Sequence, residues 1–283
     1  MPELPDVETL ARTLRRRLVG RRIRSARILT PGTVRSPSPA WFLRRLRGRR
    51  VAGVDRRGKY LLIRLDAGLV LLVHLRMTGD MEVVPAHAPM GRHTRVIFRL
   101  DDAEGPEGGG DEVRFTDQRR FGHIDLLPAG AVGSIAPLVR MGAEPLGRGF
   151  SLEAFRRILG DRRGTLKPLL LRQDVVAGIG NLYADEILFQ ARLHPGRRVE
   201  SLRPAEVRRL HEAIRQVLRR ATTALSRHGR PVGELLEARE AGGSCPRCGR
   251  PLSVSRLGGR ATYFCPFCQR PDRPRGGREG HRR

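Results

Sequence analysis

The first half of the chain alternates between one helical stripe and several short β-type runs. Apolar residues recur at helical spacing from Leu4 to Val19, with arginines on the opposite face, and this pattern predicts a first helix. From residue 21 to about 127, short apolar runs separated by turn residues predict strands. These runs are Arg22–Leu29, Tyr60–Leu65, Leu69–Leu75, Arg95–Leu100 and His123–Leu127.

The second half changes to a helical period. The predicted helices are Leu152–Leu159, Lys167–Arg172, Leu182–Ala191 and Pro204–Leu225. A series of strands followed by a series of helices predicts an α+β chain with an N-terminal β-sandwich domain and a C-terminal helical module. We place the sandwich at 1–130, a Pro-, Gly- and Ala-rich linker at 131–150 and the helical module at 151–240.

All four cysteines lie near the C-terminus. Two Cys-x-x-Cys pairs are separated by sixteen residues, at Cys245, Cys248, Cys265 and Cys268. This spacing is typical of one structural Zn(II) in a small ribbon, and four thiolate ligands leave no open position for metal catalysis. A zinc finger is therefore predicted at 241–270. Two short strands with a Gly-Gly turn between the pairs would present Arg260 at a hairpin tip.

The net charge of the chain indicates what kind of partner it binds. The formal net charge is +26 and the sequence pI is near 11.6, which points to a polyanion, with nucleic acid as the default. The longest apolar run, Gly68 to Leu75, is too short to span a bilayer, so we expect no membrane segment and a cytoplasmic location. The acidic segment 101–111 is expected to be a hairpin tip facing away from the polyanion, and the Arg-rich segment 271–283 a disordered tail.

Lysine is nearly absent from this cationic chain. Of 55 lysines and arginines only Lys59 and Lys167 are lysines, although either could survive by chance. A lysine that persists among arginines can mark a position that needs a compact, deprotonatable charge.

A glycine-rich segment precedes one predicted helix. Gly178 and Gly180 lead into the helix that begins near Leu182, with Asn181 at or near its N-cap. Helix N-termini bind phosphate well, and the high positive charge favours phosphate binding here. The alternative is a tight turn between packed helices with an ordinary cap.

The chain begins Met-Pro-Glu-Leu-Pro. Removal of Met1 would leave Pro2 with a secondary amine that can attack an electrophilic carbon and form an iminium, and Glu3 beside it could move protons. The alternative is that Pro2 has no chemical role and Pro5 merely begins the first helix.

Together these motifs resemble the formamidopyrimidine-DNA glycosylase and endonuclease VIII family over nearly the whole chain. The matching segments are 2–9, 57–60, 74–79, 117–122, 178–183 and 260–265. The resemblance implies a bifunctional glycosylase and AP lyase of base excision repair, with a helix-two-turn-helix module at 151–240. It implies damaged double-stranded DNA as the partner, a monomer and a nucleoid-associated location.

The resemblance also implies a role for each matched residue. Pro2 would be the nucleophile, Glu3 the general acid and base, and Lys59 the cation near the reacting centre. Phosphates would be held by Lys167, Asn181 and the catalytic-site residue Arg260. Met77, Arg119 and Phe121 would fill the space left by the flipped nucleotide. His74 and Tyr183, in matched motifs, are further expected DNA-binding residues.

Several differences from the family pattern leave the preferred lesion undetermined. Asp6 replaces a usual glutamate, and Gln118 replaces a commoner proline before Arg119, which should loosen that turn. Residues 222–244 are short and lack the aromatic loop expected of the 8-oxoguanine branch, and 233–240 could extend a helix. Removal of 8-oxoguanine and formamidopyrimidines is expected. The alternatives are endonuclease VIII-like action on oxidised pyrimidines or abasic sites, and a non-catalytic damaged-DNA-binding zinc-finger protein.

Overall fold

Helix α1 (Leu4–Leu18) buries its apolar stripe against strands of the N-terminal domain. Its first turn contains Pro5, and the backbone N–H of Glu3 donates to the Asp6 carboxylate at 2.8 Å, which fixes the entry of the chain into the helix. The structure is a computed structural model, and it describes residues 1–36, 38–101, 110–239 and 243–271. Most of the acidic segment and the basic tail lie outside these residues.

Nine strands form the N-terminal sheet. They are β1 (Arg22–Ile28), β2 (Val34–Ser36), β3 (Arg49–Arg57), β4 (Tyr60–Leu65), β5 (Leu69–His74), β6 (Gly79–Pro85), β7 (Thr94–Leu100), β8 (Asp111–Asp117) and β9 (His123–Pro128). Their order is β2-β9-β5-β4-β3-β1-β7-β8-β6. Strands β2, β9, β5, β4 and β3 form one half of the sheet, and β1, β7, β8 and β6 form the other. The two halves are joined where Arg22 and Ile23 of β1 pair with β3. Side chains of both halves share one core, so the sheet folds over into the expected sandwich.

The five predicted strand runs are all present, and further elements lie between them. Helix α2 (Pro39–Leu46) begins at the Ser38 cap and buries Phe42 and Leu46. Strand β3 is rich in arginine yet buries Val51 and Val54. Because charged residues surround these two valines, the sequence shows no apolar run that would predict the strand. The connection 129–139 contains two single-turn helices, α3 (Ala129–Val132) and α4 (Ala136–Val139).

The helical module contains four predicted helices. They are α5 (Leu152–Gly160), α6 (Leu166–Leu171), α7 (Asn181–Gln190) and α8 (Pro204–His228), with a 3-10 turn at Val199–Ser201. Helix α8 ends at Gly229, whose φ of 66° stops the helix in the left-handed conformation. The possible helical extension at 233–240 is instead a separate turn, α9 (Glu234–Glu237). The carboxylate of Glu186 accepts the N–H groups of residues 234, 235 and 236, which anchors α9 to α7.

The zinc-finger segment ends the described chain. Strands β10 (Ser253–Leu257) and β11 (Arg260–Phe264) form the expected hairpin. Phe189 of α7 and Leu235 of α9 pack with Cys245 and Cys265, so the finger shares a small core with the helical module. No helix among the described residues is long and apolar enough to cross a membrane.

Candidate active site and nucleic-acid interface

Glu3 lies between the two domains. Its carboxylate accepts the backbone N–H groups of Gly180 and Leu182, each at 2.8 Å, and that of Tyr183 at 3.2 Å. These are the unpaired donors at the N-terminus of α7, where the helix dipole also favours a negative charge. In addition, the N–H of Leu4 donates to the carbonyl of Gly178 at 2.9 Å. The helical module thus holds the residue next to Pro2 in one position.

The environment of Glu3 changes the pKa of its carboxyl group. Glu3 is buried, and this burial raises its pKa, although Lys59 and the three N–H donors partly offset the effect. Lys59 is also buried, and burial lowers its pKa against the attraction of Glu3 and Asp6. A carboxyl group that keeps its proton more readily and an ammonium that loses its proton more readily are suited to proton transfer.

The turn that carries Lys59 is held in place by residues of the segment that connects the two domains. Gly58 has a φ of 55°, and an added Cβ there would lie 2.5 Å from the Met141 sulfur, so both the conformation and the close packing favour glycine. The neighbouring Arg56 is buried and pairs with both Glu8 of α1 and Glu144, each at 2.8 Å. Lys59 therefore enters the site from a rigid turn.

The glycine-rich segment does not provide the free phosphate site that its sequence suggested. The N–H groups at the start of α7 already bind Glu3, and an added Cβ at Gly180 would lie 2.3 Å from the Glu3 carboxyl carbon. The glycines are needed for close approach, but the anion is the protein's own carboxylate. Asn181 is the first residue of α7, and its side-chain amide donates to the Ala261 carbonyl of β11 at 3.1 Å.

Two adjacent loops carry the expected filling residues. Met77 is half-buried in the loop between β5 and β6, while Arg119 and Phe121 project from the loop between β8 and β9. Phe121 is 48% exposed, and the Arg119 guanidinium lies 4.8 Å from its ring centroid. The structure brings these three side chains onto neighbouring loops of one sheet.

His74 ends β5 below these loops. Its Nδ1 accepts the backbone N–H of Arg76 at 3.0 Å, and its ring stacks on His123 with centroids 5.8 Å apart. Burial, with the charges of Arg76 and neighbouring cations, lowers the pKa of His74 to about 3. His74 is therefore a neutral support for the β5–β6 loop at physiological pH.

Lys167 and Tyr183 are not at the surface. The Lys167 ammonium is completely buried and binds the Asp185 carboxylate at 2.6 Å and the Ala261 carbonyl and Thr262 hydroxyl at 2.9 Å. Tyr183 is also completely buried, in the core of the helical module. Neither side chain can reach a DNA phosphate from this position. For Lys167 this corrects the expected grip on DNA, because its charge ties α6 and α7 to the finger hairpin.

The four cysteine sulfurs form a compact cluster, all within 4.8 Å of one another. The Cys245–Cys268 and Cys248–Cys265 sulfurs are 3.8 and 3.6 Å apart. Tetrahedral zinc with Zn–S bonds of about 2.3 Å requires sulfurs about 3.8 Å apart, so the donor set fits one structural zinc. Arg260 begins β11 at the hairpin tip and is exposed. Its charge is close enough to Lys59 to lower that pKa further.

Comparisons with known proteins agree with this architecture. Family models match residues 1–124 as a formamidopyrimidine-DNA glycosylase N-terminal domain, 141–228 as the H2TH domain of the same enzymes, and 242–271 as a zinc finger found in FPG and IleRS. The formamidopyrimidine-DNA glycosylase of Symbiobacterium thermophilum is 45% identical, covering 99% of this chain and 96% of the relative. That of Herpetosiphon aurantiacus is 42% identical, covering 95% and 100%.

Solved structures give the same result. The Lactococcus lactis enzyme with abasic-site DNA has a TM-score of 0.84 at 30% identity, covering 95% of this chain and 99% of that one. Its complex with oxidised-pyrimidine DNA has a TM-score of 0.85 at 31% identity, covering 95% and 100%. A sandwich, a helix-two-turn-helix module and a zinc finger around a buried Glu-Lys pair define a DNA glycosylase of base excision repair. The chain belongs to the formamidopyrimidine-DNA glycosylase family, whose members also have AP lyase activity.

Two further carboxylates, which the sequence did not indicate directly, hold parts of the site. Asp117 binds both filling-residue loops, and Asp185 is the partner of Lys167. Asp117 lies inside a matched motif and Asp185 lies two residues after one, and only their tertiary contacts show what each carboxylate binds. A lysine that persists among arginines was the one sequence signal for Asp185, because a buried ammonium needs a buried partner.

Proposed function

We propose that this chain is a bifunctional DNA glycosylase and AP lyase that acts on oxidised bases in duplex DNA through the amine of Pro2. One observation carries the proposal. The buried carboxylate next to Pro2 is held by three N–H groups at the start of α7, with Lys59 beside it. A carboxyl group and an ammonium that are both desolvated beside the amine of Pro2 are suited to moving protons there.

The proposed reaction begins after removal of Met1. The unprotonated Pro2 amine attacks C1′, the glycosidic bond breaks, and the base leaves with the bonding electrons and takes up the proton that the Pro2 nitrogen releases. Glu3, which keeps its proton readily, protonates O4′ as the C1′–O4′ bond breaks and the C1′–N iminium forms. Glu3 is an anion after this step, and the N–H groups of α7 stabilise it.

Strand cleavage follows from the iminium. It acidifies C2′, so loss of that proton expels the 3′ phosphate by β-elimination. Loss of the C4′ proton then expels the 5′ phosphate by δ-elimination, and water hydrolyses the remaining imine to restore the amine. We assign to Lys59, whose charge acts on the Glu3 carboxylate, the return of protons to Glu3 between turnovers.

DNA binding is assigned to the face that carries the site. We assign phosphate contacts to Arg260 and Asn181, which lie together on the hairpin and at the start of α7. Met77, Arg119 and Phe121 are assigned to the space vacated by the flipped nucleotide, since they are accessible and adjacent. Zinc supports this face by folding the hairpin.

Lesion choice is the finer part of the proposal. Solved relatives from Lactococcus lactis bind DNA containing Fapy-dG, an abasic site or an oxidised pyrimidine. We assign formamidopyrimidines and 8-oxoguanine as substrates. The second candidate is endonuclease VIII-like preference for oxidised pyrimidines, favoured by the few residues between α8 and α9 and by the anchoring of α9 to Glu186. These leave little chain to cover a flipped purine. We further propose a monomer acting in the cytoplasm on nucleoid DNA.

Borohydride trapping tests the proposal. Sodium borohydride reduces an iminium to a stable amine, so the enzyme with a confirmed Pro2 N-terminus should become linked to duplexes containing 8-oxoguanine, dihydrothymine or an abasic site. Pro2→Gly and Glu3→Gln should bind the same duplexes without efficient cross-linking. Trapping on dihydrothymine and abasic DNA alone would move the specificity to the second candidate. Binding with no adduct on any duplex would refute the enzyme and leave a damaged-DNA-binding protein.

A further inference from the structure

One buried carboxylate holds both loops that carry the filling residues. Asp117, at the end of β8, is 1% exposed. Its Oδ1 accepts the hydroxyl of Thr78 and, at 3.1 Å, the backbone N–H of Arg119. Its Oδ2 accepts the N–H of Gly122 at 2.7 Å. Thr78 follows Met77 in one loop, and Arg119 and Gly122 flank Phe121 in the other.

Both loops need such an external restraint. Arg76 has a φ of 56° and Arg120 a φ of 57°, a left-handed conformation that costs a non-glycine residue free energy. Gln118 is exposed and, unlike a proline, does not fix the backbone before Arg119. The bonds from Asp117 supply the restraint that the local sequence does not.

The backbone of Asp117 is itself fixed to the sheet. The buried Arg95 of β7 donates from Nε to the Asp117 carbonyl at 2.8 Å. At Gly122 an added Cβ would lie 2.7 Å from Phe115 and 3.1 Å from the Asp117 carboxylate, so the second loop lies directly against its anchor. The contacts therefore run from the sheet through Asp117 into both loops.

We propose that Asp117 is a positioning residue that couples the two loops, so that Met77, Arg119 and Phe121 enter the duplex as one unit. This inference rests on the proposed function, because it concerns how the flipped state is held open. Asp117 touches no reacting atom in this arrangement. Its loss should impair steps that need an intact duplex and spare chemistry on a nucleotide that is already exposed.

The experiment compares two substrates for each variant. Single-turnover borohydride trapping is measured on an abasic site in a duplex and on the same abasic strand without its complement, where no vacated space has to be filled. Asp117→Asn keeps the side-chain volume but turns an amide N–H₂ toward N–H donors. The duplex rate should fall about 30-fold, equivalent to about 2 kcal/mol, with single-strand trapping within about two-fold of the wild type.

Further variants separate positioning from folding. Thr78→Val removes the hydroxyl and should lower only the duplex rate, and Thr78→Ser should restore it. A 2-aminopurine opposite the abasic site should show slower fluorescence change in Thr78→Val and Asp117→Asn. Asp66→Asn, in the turn at the opposite end of β5, is the matched control and should behave as wild type.

The outcomes distinguish the two proposals. Equal loss on duplex and single strand, or equal rates for Thr78→Val and Thr78→Ser, would overturn the coupling role. Wild-type duplex rates in Asp117→Asn would also overturn it. Absence of any adduct with the wild-type enzyme on either substrate would instead refute the proposed function. If Asp117→Asn fails to fold, the Thr78 pair decides the question.

Discussion

Gly180→Ala should disable the reaction while leaving the fold intact. The φ of Gly180 is −125°, which alanine adopts without strain, so any effect must come from the added methyl group. That methyl would lie 2.3 Å from the Glu3 carboxyl carbon and 2.4 Å from Oε1, whereas ordinary contacts begin at 3.4 Å. Because the clash involves the end of a flexible side chain, Glu3 will move and the backbone will not.

The size of the effect follows from that displacement. Relief of the contact requires a shift of about 1 Å, and a catalytic group misplaced by about 1 Å costs about 10²-fold in rate. The shift also lengthens the 2.8 Å bonds from Gly180 and Leu182 that stabilise the carboxylate. We therefore expect the single-turnover rate to fall about 100-fold.

The assay is borohydride trapping on an abasic duplex, with DNA affinity measured by fluorescence anisotropy and stability by thermal unfolding. The matched control is Gly160→Ala at the end of α5, where an added Cβ meets nothing within 4 Å. Affinity for Gly180→Ala should stay within about three-fold of wild type, since phosphate contacts are untouched. A trapping rate within about three-fold of both wild type and Gly160→Ala would refute the assignment of Glu3 to the chemistry.

Three further changes have distinct signatures. Asp185→Asn leaves the Lys167 ammonium buried without its charge partner. The free energy of unfolding, measured in urea, should fall by about 3–5 kcal/mol. A decrease below about 1 kcal/mol would contradict the structural role of the ion pair. Because burial raises the Glu3 pKa above 4.5, the folded state holds this proton more tightly than the unfolded state, and stability falls as pH rises from 4.5 through the folded pKa. Glu3→Gln removes the ionisable group, so its Tm advantage over wild type should grow as the pH rises above 4.5 and level off above the folded-state pKa of Glu3. A Tm difference that does not change with pH would contradict the raised pKa. Arg260→Ala should weaken binding equally for damaged and undamaged duplexes and reduce the salt slope by about 1, and an unchanged slope would exclude a phosphate contact.

The sequence predicted regular elements better than it predicted contacts. The first helix, the five strand runs and the four helices of the helical module appear within a few residues of their expected limits. Most of them bury a periodic face, although α7 and β5 are buried almost all round. Strand β3 was harder to predict, because arginines surround its two buried valines. Helix α8 ends where Gly229 adopts the left-handed conformation. The residues next to Gly229 in the chain do not determine this conformation, so the sequence alone did not fix the end of the helix.

The site was predicted in its residue types but not in its connections. The motif around Gly180 correctly indicated an anion at a helix N-terminus, yet the anion is Glu3, 177 residues away. Lys167 was singled out correctly as unusual, but its charge faces Asp185 rather than DNA. Whether a helix N-terminus or an ammonium faces solvent or another domain is decided by long-range packing, which one sequence does not display.

The burial of both lysines has a chemical consequence for an enzyme that handles aldehydes. An opened abasic site is an aldehyde, and any accessible primary amine on a bound protein can condense with it. The cations elsewhere on this chain are arginines, whose guanidinium groups remain protonated and hold phosphates without acting as nucleophiles. Lys167 is sealed in an ion pair and Lys59 lies inside the site. The enzyme can therefore grip damaged DNA across a strongly cationic surface without becoming cross-linked to it outside the site.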